Sequence, residues 1–223
     1  MEDSKLTIPK DWTFKSESVA KGFDAHVREQ LPWYELVTNL VAHFARSYLP
    51  EGGLVYDLGA STGNIGRALS SSLYARKARF QPIDNSPQMA EKYDGPGTIF
   101  VGDAVDFDYE PFDVAVLMLC LMFIPLAKRG ALLRKLRGLL RPGGAIVIVD
   151  KLESTGGYAG SVSSRITMSG KLESGATPEE IIAKELSLSG IQRPLRRSEL
   201  PEEAIEVFRF GDFAGFVIEG SDG

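Results

Sequence analysis

The hydrophobic pattern changes period along the chain. Leu36, Leu40, Val41 and Phe44 recur at helical spacing, so Phe23 to Leu49 reads as one or two helices with Pro32 in a first turn. Pro50-Glu51-Gly52-Gly53 breaks that pattern, and short apolar runs then alternate with amphipathic ones. The spacing predicts strands over Leu54 to Leu58, Ala78 to Ile83, Thr98 to Val101, Val114 to Leu119 and Ala145 to Val149. Helices are predicted over Gly63 to Leu73, from Ser86-Pro87 to about Tyr93, and over Ala127 to Leu140, the last closed by Arg141-Pro142-Gly143-Gly144. Val114 to Leu119 is continuously apolar, as expected of a strand covered on both faces. Such alternation implies a parallel sheet with right-handed crossovers.

The two ends read differently. Met1 to about Gly22 is polar and aperiodic, expected as a tail or flap. Leu152 to Ala176 is rich in Ser and Gly and is expected to be a mobile, lid-like segment. Thr177-Pro178-Glu179-Glu180 marks a helix start, with Thr as N-cap, for a helix running to about Ser189. Ile205 to Phe210 and Phe213 to Glu219 flank Gly211-Asp212 and form a predicted β-hairpin. Residues 1–50 are therefore read as an N-terminal helical cap or flap, and 51–223 as one α/β domain.

Composition narrows the classes. Hydrophobic residues make up 43% and charged residues 25% of 223, a globular balance. A net charge of −5 gives no pull toward nucleic acid or an anionic membrane. The longest apolar run, Val114 to Leu126, is too short to span a bilayer, and Met1 to Lys10 lack the apolar core of a signal peptide. One cysteine, Cys120, excludes an intrachain disulfide, suits a reducing cytoplasm, and is expected to be a buried structural thiol. Two histidines and one cysteine cannot assemble a zinc-type ligand set, so no metal is expected.

The chemistry concentrates at Val55 to Gly66, a strand entering a Gly-rich turn and then a helix. Small residues there let a ligand approach the backbone. Gly59-Ala60-Ser61-Thr62-Gly63 matches the G-x-S-x-G nucleophile elbow, but that fold needs a histidine after the serine, and His26 and His43 both precede it. A nicotinamide fingerprint needs glycine at three positions held here by Gly59, Ser61 and Asn64, a poor match. The remaining pattern is an acid followed by small residues at alternate positions: Asp57, Gly59, Ser61, Gly63. Asp84 and Gly102-Asp103-Ala104 close the second and third strands, so three acids stand at the carboxyl edge of successive strands, where such sheets bind ligands.

Asp57 to Gly63, Ile83 to Met89, Gly102-Asp103, Arg141 to Gly144 and the terminal hairpin resemble a class I S-adenosylmethionine (SAM)-dependent methyltransferase over roughly Gly53 to Glu219. Within that class, DLGASTG, IDNSPQM, MLCLMFIP and LRPGGAIVIVDKLE look most like the carboxy-SAM synthase branch, which carries serine where Ser61 stands. The resemblance implies a Rossmann-like doubly wound α/β sheet of seven strands, mostly parallel with a C-terminal antiparallel hairpin, and SAM as cofactor. It implies that Asp57 orients the methionine amine, Gly59 packs under the homocysteine, and Asp84 holds both ribose hydroxyls. Ala60, Ser61, Gly63, Asn85 and Met89 belong to the same cradle; Asp103 and Ala104 frame the adenine, and Leu119 to Phe123 line the methyl side. The branch binds an extra carboxylate through a C-terminal arginine, for which Arg193, Arg196 and Arg197 are candidates. The amino-directed DNA methyltransferase signature Asn/Asp-Pro-Pro-Tyr is absent; Leu119 to Met122 stand in its place.

The reading favoured is methyl transfer from ordinary SAM to an unidentified acceptor. Carboxy-SAM synthesis and a non-catalytic SAM-binding role are the alternatives. If a general base is needed, His26 is the first candidate, with Tyr34 and Glu35 near it in sequence. The acceptor stays open, as does a homodimer.

Overall fold

The computed structural model describes residues 6–154 and 156–220. Two helices, α1 (Glu17–Gln30) and α2 (Tyr34–Tyr48), precede the alternating region. That region runs β1 (Leu54–Leu58), α3 (Asn64–Ala75), β2 (Arg79–Asp84), α4 (Pro87–Ala90), β3 (Phe100–Val101), β4 (Phe112–Met118), α5 (Leu126–Leu139) and β5 (Leu140–Lys151). Then come α6 (Gly157–Glu173), α7 (Pro178–Ser187), β6 (Ile205–Phe210) and β7 (Phe213–Glu219). The seven strands lie in the order β3-β2-β1-β4-β5-β7-β6, with β1 to β5 parallel and β6 and β7 antiparallel. This is the expected doubly wound sheet. The hairpin falls on the predicted residues, because Gly211 at φ +54° lets the chain reverse where L side chains are strained.

β1 and β4 are buried along their whole lengths. One core cluster, with Leu58, Leu117 and Phe216, packs on one side of the sheet. The other joins Val37, Val41 and Ala45 of α2 to Val55, Val116 and Val147, so α2 lies directly on the sheet. The α2 stripe is rotated from the expected one: Tyr34, Val37, Thr38, Val41, Ala42 and Ala45 are buried, while Leu36 is 69% exposed.

Other expectations need correction. Glu17 to Gly22 is helix, not tail; Val19, Ala20 and Val27 give α1 its own buried face. The part of the expected tail over residues 1–5 lies outside the described residues. Leu152 to Ala176 is not a mobile lid but mostly α6, with Thr155 outside the described residues. Small residues in α6 allow close packing: a Cβ on Gly170 would stand 3.1 Å from Pro32 Cγ and 3.3 Å from Phe210 Cζ. The helix after Ser86-Pro87 stops at Ala90, not Tyr93, where the Tyr93 hydroxyl donates to Pro96 O (2.5 Å). Arg141 to Gly144 ends α5 but is already part of β5. There Arg141 Nη1 donates to the buried Asp113 carboxylate (2.8 Å), which also accepts the Leu54 N–H (2.8 Å).

Candidate functional site

Parallel sheets open a crevice where the strand order reverses, here between the carboxyl ends of β1 and β4. Asp57, inside β1, pairs in register with Pro82 and Val116 and is 2% exposed. Past Leu58 the chain turns, with Gly59 at φ +75° and Ser61 at φ +51°. A Cβ on Gly59 would come within 3.1 Å of Cys120 Sγ, so the turn passes close under the segment leaving β4. Gly63, at φ +94°, is the N-cap of α3. A side chain there would be strained in φ and would press on Gly95 N at 2.9 Å.

Asp84 holds the turn from the second strand. Its Oδ2 accepts the Ser61 N–H (2.8 Å) and its Oδ1 accepts the Ser86 N–H (2.9 Å). Each oxygen keeps a second lone-pair position for a ligand hydroxyl. Asp103 Oδ1 accepts the Val105 N–H (2.9 Å) at the end of β3.

A single cavity runs from this turn to the C-terminal helices. Of the expected residues it is bordered by His26, Tyr34, Asp57, Gly59, Ala60, Ser61, Asp84, Asn85, Met89, Asp103, Ala104 and Leu119. Gly63 does not border it and acts through the turn. Cys120 is half-buried, packed against the core cluster and bordering the cavity, and burial pushes its thiol pKa well up, so it stays a thiol at neutral pH. Arg193, Arg196 and Arg197 are not at the cavity. Arg193 and Arg196 pair with Glu153, and Arg197 donates to the backbone oxygens of Leu200, Pro201, Glu202 and Ala204. The buried Arg129 fixes this arrangement, since its Nη2 donates to Arg193 O (2.6 Å). The Arg193 backbone is thereby anchored beside the β4 exit while its side chain points to Glu153.

The cations that do reach the cavity are Lys151, Lys171 and Lys184. Lys171 donates to Glu185 Oε1 (2.8 Å) and Lys151 to Glu185 Oε2 (3.5 Å). Of these four residues only Lys151 falls within a sequence motif, the LRPGGAIVIVDKLE stretch. A usable signal existed in α7, where the capping box of Thr177 and Glu180 fixes the phase and puts Lys184 on the face of Ile181 and Leu188.

The N-terminal residues complete the wall. Trp12 N–H donates to Ser187 O (3.0 Å), and Ser86 Oγ donates to Phe14 O (2.6 Å), which carries the chain between α7 and α4. Asp24 ties α1 to the glycine turn: its Oδ1 accepts from Thr62 Oγ1 (2.6 Å) and Asn64 Nδ2 (2.9 Å). This gives Phe23 to Gln30, a stretch outside the motifs, a structural role. His26 is buried and stacks on Trp12 with 5.3 Å between ring centroids. Tyr34 is buried, and desolvation pushes its phenol far above the usual range, so it stays protonated at neutral pH.

Electrostatics mark where a ligand cation belongs. Asp57 Oδ2 is buried without a hydrogen-bond partner. Burial, with Asp84 nearby, pushes the Asp57 pKa up to about 8. A buried carboxylate without a partner costs free energy that a ligand ammonium would recover. The α-amino group of SAM would supply that ammonium, and Asp84 with its free lone pairs suits two ribose hydroxyls, so these residues fit the cofactor. Among the described residues, no group of three or more His, Cys, Asp or Glu is placed to hold a metal ion, and no helix is long and apolar enough to cross a membrane.

The sheet order and this cradle define a class I SAM-dependent enzyme of the methyltransferase fold. A family model described as a methyltransferase domain matches residues 55–144. The chain is similar to the carboxy-S-adenosyl-L-methionine synthase of Staphylococcus epidermidis, at 32% identity over 94% of this chain and 97% of that protein. It is also similar to the Wolinella succinogenes protein of the same name, at 30% identity over 97% and 98% of the two chains. The chain belongs to the carboxy-SAM synthase family. In fold it matches the complex of DhpI with S-adenosylhomocysteine (SAH), with a TM-score of 0.60, 15% identity, and 93% and 94% of the chains covered.

Proposed function

We propose that this enzyme transfers the methyl group of unmodified SAM to a small acceptor held in the cavity. The observation that carries the reading is the charge on the cavity wall. Among the described residues no arginine borders the cavity, and two of its three lysines share Glu185. A carboxylate added to the donor would need a cation with free hydrogen-bonding capacity in a dry site, since an unpaired buried charge costs several kcal/mol. Arginine is the side chain suited to grip it with two bonds.

Asp57 would hold the amino group of SAM, Asp84 the ribose, and Asp103 with Ala104 the adenine edge. SAM supplies an activated methyl group. The side chains around Leu119, Phe123 and Tyr34 exclude water and position the acceptor for in-line displacement, worth up to roughly 7–11 kcal/mol when alignment is good.

The second reading is carboxy-SAM synthesis, favoured by relatives of that name that match nearly the whole chain. Two measurements decide between them. Competition binding should show SAM at least as tight as carboxy-SAM. Mass spectrometry with methyl-labelled SAM should show the label on an acceptor from a panel of phenols, alcohols and amines. Tighter carboxy-SAM binding, or carboxy-SAM as the product formed from SAM, would replace this reading with the second.

A further inference from the structure

The turn that leaves β4 is strained and is held by two buried charges. Leu119 stands at φ +56°, a left-handed conformation that side chains adopt only at a cost. Its N–H still donates to Val149 O (2.7 Å), and the next residues wind into a short 3-10 turn, Leu121–Phe123. Leu119, Cys120, Met122 and Phe123 border the cavity. They form its wall beside the glycine turn, since a Cβ on Gly59 would meet Cys120 Sγ at 3.1 Å.

The charges stand behind this wall: neither Asp150 nor Arg129 borders the cavity. Asp150 of β5 is 1% exposed and accepts the Met122 N–H through Oδ2 (3.3 Å) and the Lys151 N–H through Oδ1 (3.2 Å). Burial raises its pKa to about 7, while the N–H groups of Lys151, Met122 and Leu121, with the Arg129 guanidinium, pull the other way. Arg129 of α5, also 1% exposed, takes the acceptors of the same segment. Its Nε donates to Ile124 O (2.8 Å), and its Nη2 donates to Met122 O (3.3 Å) and Arg193 O (2.6 Å). Nη1 completes the set on the Glu199 carboxylate (3.2 Å). Such buried charges are poor devices for stability alone, because well-packed apolar residues of similar volume often serve as well or better.

We propose that Arg129 and Asp150 are positioning residues, which hold Leu119 in its left-handed conformation and so fix the wall against the group carried on the cofactor's sulfur. The carboxylate holds the donors of the turn and the guanidinium its acceptors, so the strained backbone has no free direction in which to relax. This rests on SAM as the cofactor and is the same for methyl transfer and for carboxy-SAM synthesis. With the amino group at Asp57 and the ribose at Asp84, the sulfur lies between them, next to Leu119. SAM and SAH differ there by one methyl group and its charge. Their affinity ratio therefore reports on the wall, whereas a general loss of stability weakens both alike.

The test measures SAM and SAH affinities by calorimetry on the full-length protein. Arg129→Lys keeps the charge but cannot fork to three carbonyls. It should weaken SAM more than SAH and move their ratio by about 5–10-fold, the lower end of what one methyl contact in an apolar pocket is worth. SAM labelled with 13C in its methyl group should give one sharp bound signal in the wild type and a shifted or broadened one in the variant. Leu119→Ala leaves both charges in place and removes the side chain they position, so it should move the ratio in the same direction. Where Arg129→Lys is too unstable to measure, Leu119→Ala alone decides. In the double variant the two shifts should not add, because both act through Leu119. Asp150→Asn keeps the shape and gives up one acceptor, and should move the ratio the same way by less. An unchanged ratio in Arg129→Lys or Leu119→Ala, or additive shifts in the double variant, would overturn the proposal; an unchanged ratio in Asp150→Asn would overturn the part given to Asp150. Failure of both ligands to bind the wild type would overturn the cofactor assignment as well, so the two failures are distinguishable.

Discussion

The cofactor end of the cavity is built largely from backbone, and the opposite end from side chains. At the first, Asp84 takes the N–H groups of Ser61 and Ser86, and Ile83 O takes those of Gly59 and Ala60 at 2.8 and 3.0 Å. Every partner lies within a strand or the turn that follows it, so the geometry is set locally. At the second, Trp12, Lys151, Lys171 and Lys184 come from four segments that meet only when the chain is packed. A locally set cradle suits a ligand with fixed groups such as SAM. A wall of convergent side chains can change one residue at a time and so tune what else the cavity admits.

Substitutions should separate the two ends by size of effect. Asp84→Ala is expected to be the most costly for binding. It strands two turn N–H groups and leaves two ligand hydroxyls unanswered, lowering SAH affinity by roughly 2–4 kcal/mol in calorimetry. If Asp84→Ala binds as well as wild type, the cradle is misplaced although the fold stands. Gly63→Ala forces a side chain into a left-handed position and toward Gly95 N, and should lower stability by roughly 1–3 kcal/mol in denaturant unfolding. An unchanged midpoint would show that the turn relaxes freely.

Outside the cradle itself the effects should be smaller. Asp24→Ala removes the acceptor that clasps Thr62 and Asn64, and should cost about 1 kcal/mol of SAH affinity. Hydrogen exchange in residues 12–30 should slow on adding SAH to wild type and slow less in the variant. Equal protection in both would show that the clasp does not couple α1 to the ligand. Arg196→Ala, which breaks only an exposed pair with Glu153, should leave the preference between SAM and carboxy-SAM unchanged. A shift in preference would bring the C-terminal arginines back into the site.

The same contrast governs what could be read from the residues alone. Asp57, Gly59, Ser61, Asp84 and Asp103 were legible because strand ends and glycine turns impose local rules on residue type, and the hairpin at Gly211-Asp212 was legible for that reason too. The second half of the site was not. α6 carries glycine at 157, 160 and 170 with many serines, a composition that suggests a loop, and it is helical because close packing on Pro32 and Phe210 rewards small side chains. Lys171 and Lys184 look like solvated charges, and only the tertiary arrangement buries them. The three C-terminal arginines were candidates for the site by their chemistry, but nothing local reveals that Arg129 and Glu153 hold Arg193 and Arg196 away, or that Arg197 turns to the backbone oxygens of Leu200, Pro201, Glu202 and Ala204.

The central claim is that the Asp57 carboxylate receives the cofactor's ammonium. With its pKa raised to about 8, the free enzyme keeps Asp57 mostly protonated at pH 7, and binding must ionise it. The sign follows: the raised pKa favours the folded free enzyme below about pH 4, and that contribution to stability is lost as pH rises toward 8. Ligand affinity, by contrast, rises with pH over the same window. Calorimetry of SAH binding in two buffers of different ionisation enthalpy reads the proton count directly. Close to one proton should be released at pH 7, fading above pH 8 and absent in Asp57→Asn. Binding with no proton release at pH 7, or with the same release in Asp57→Asn, would contradict the account.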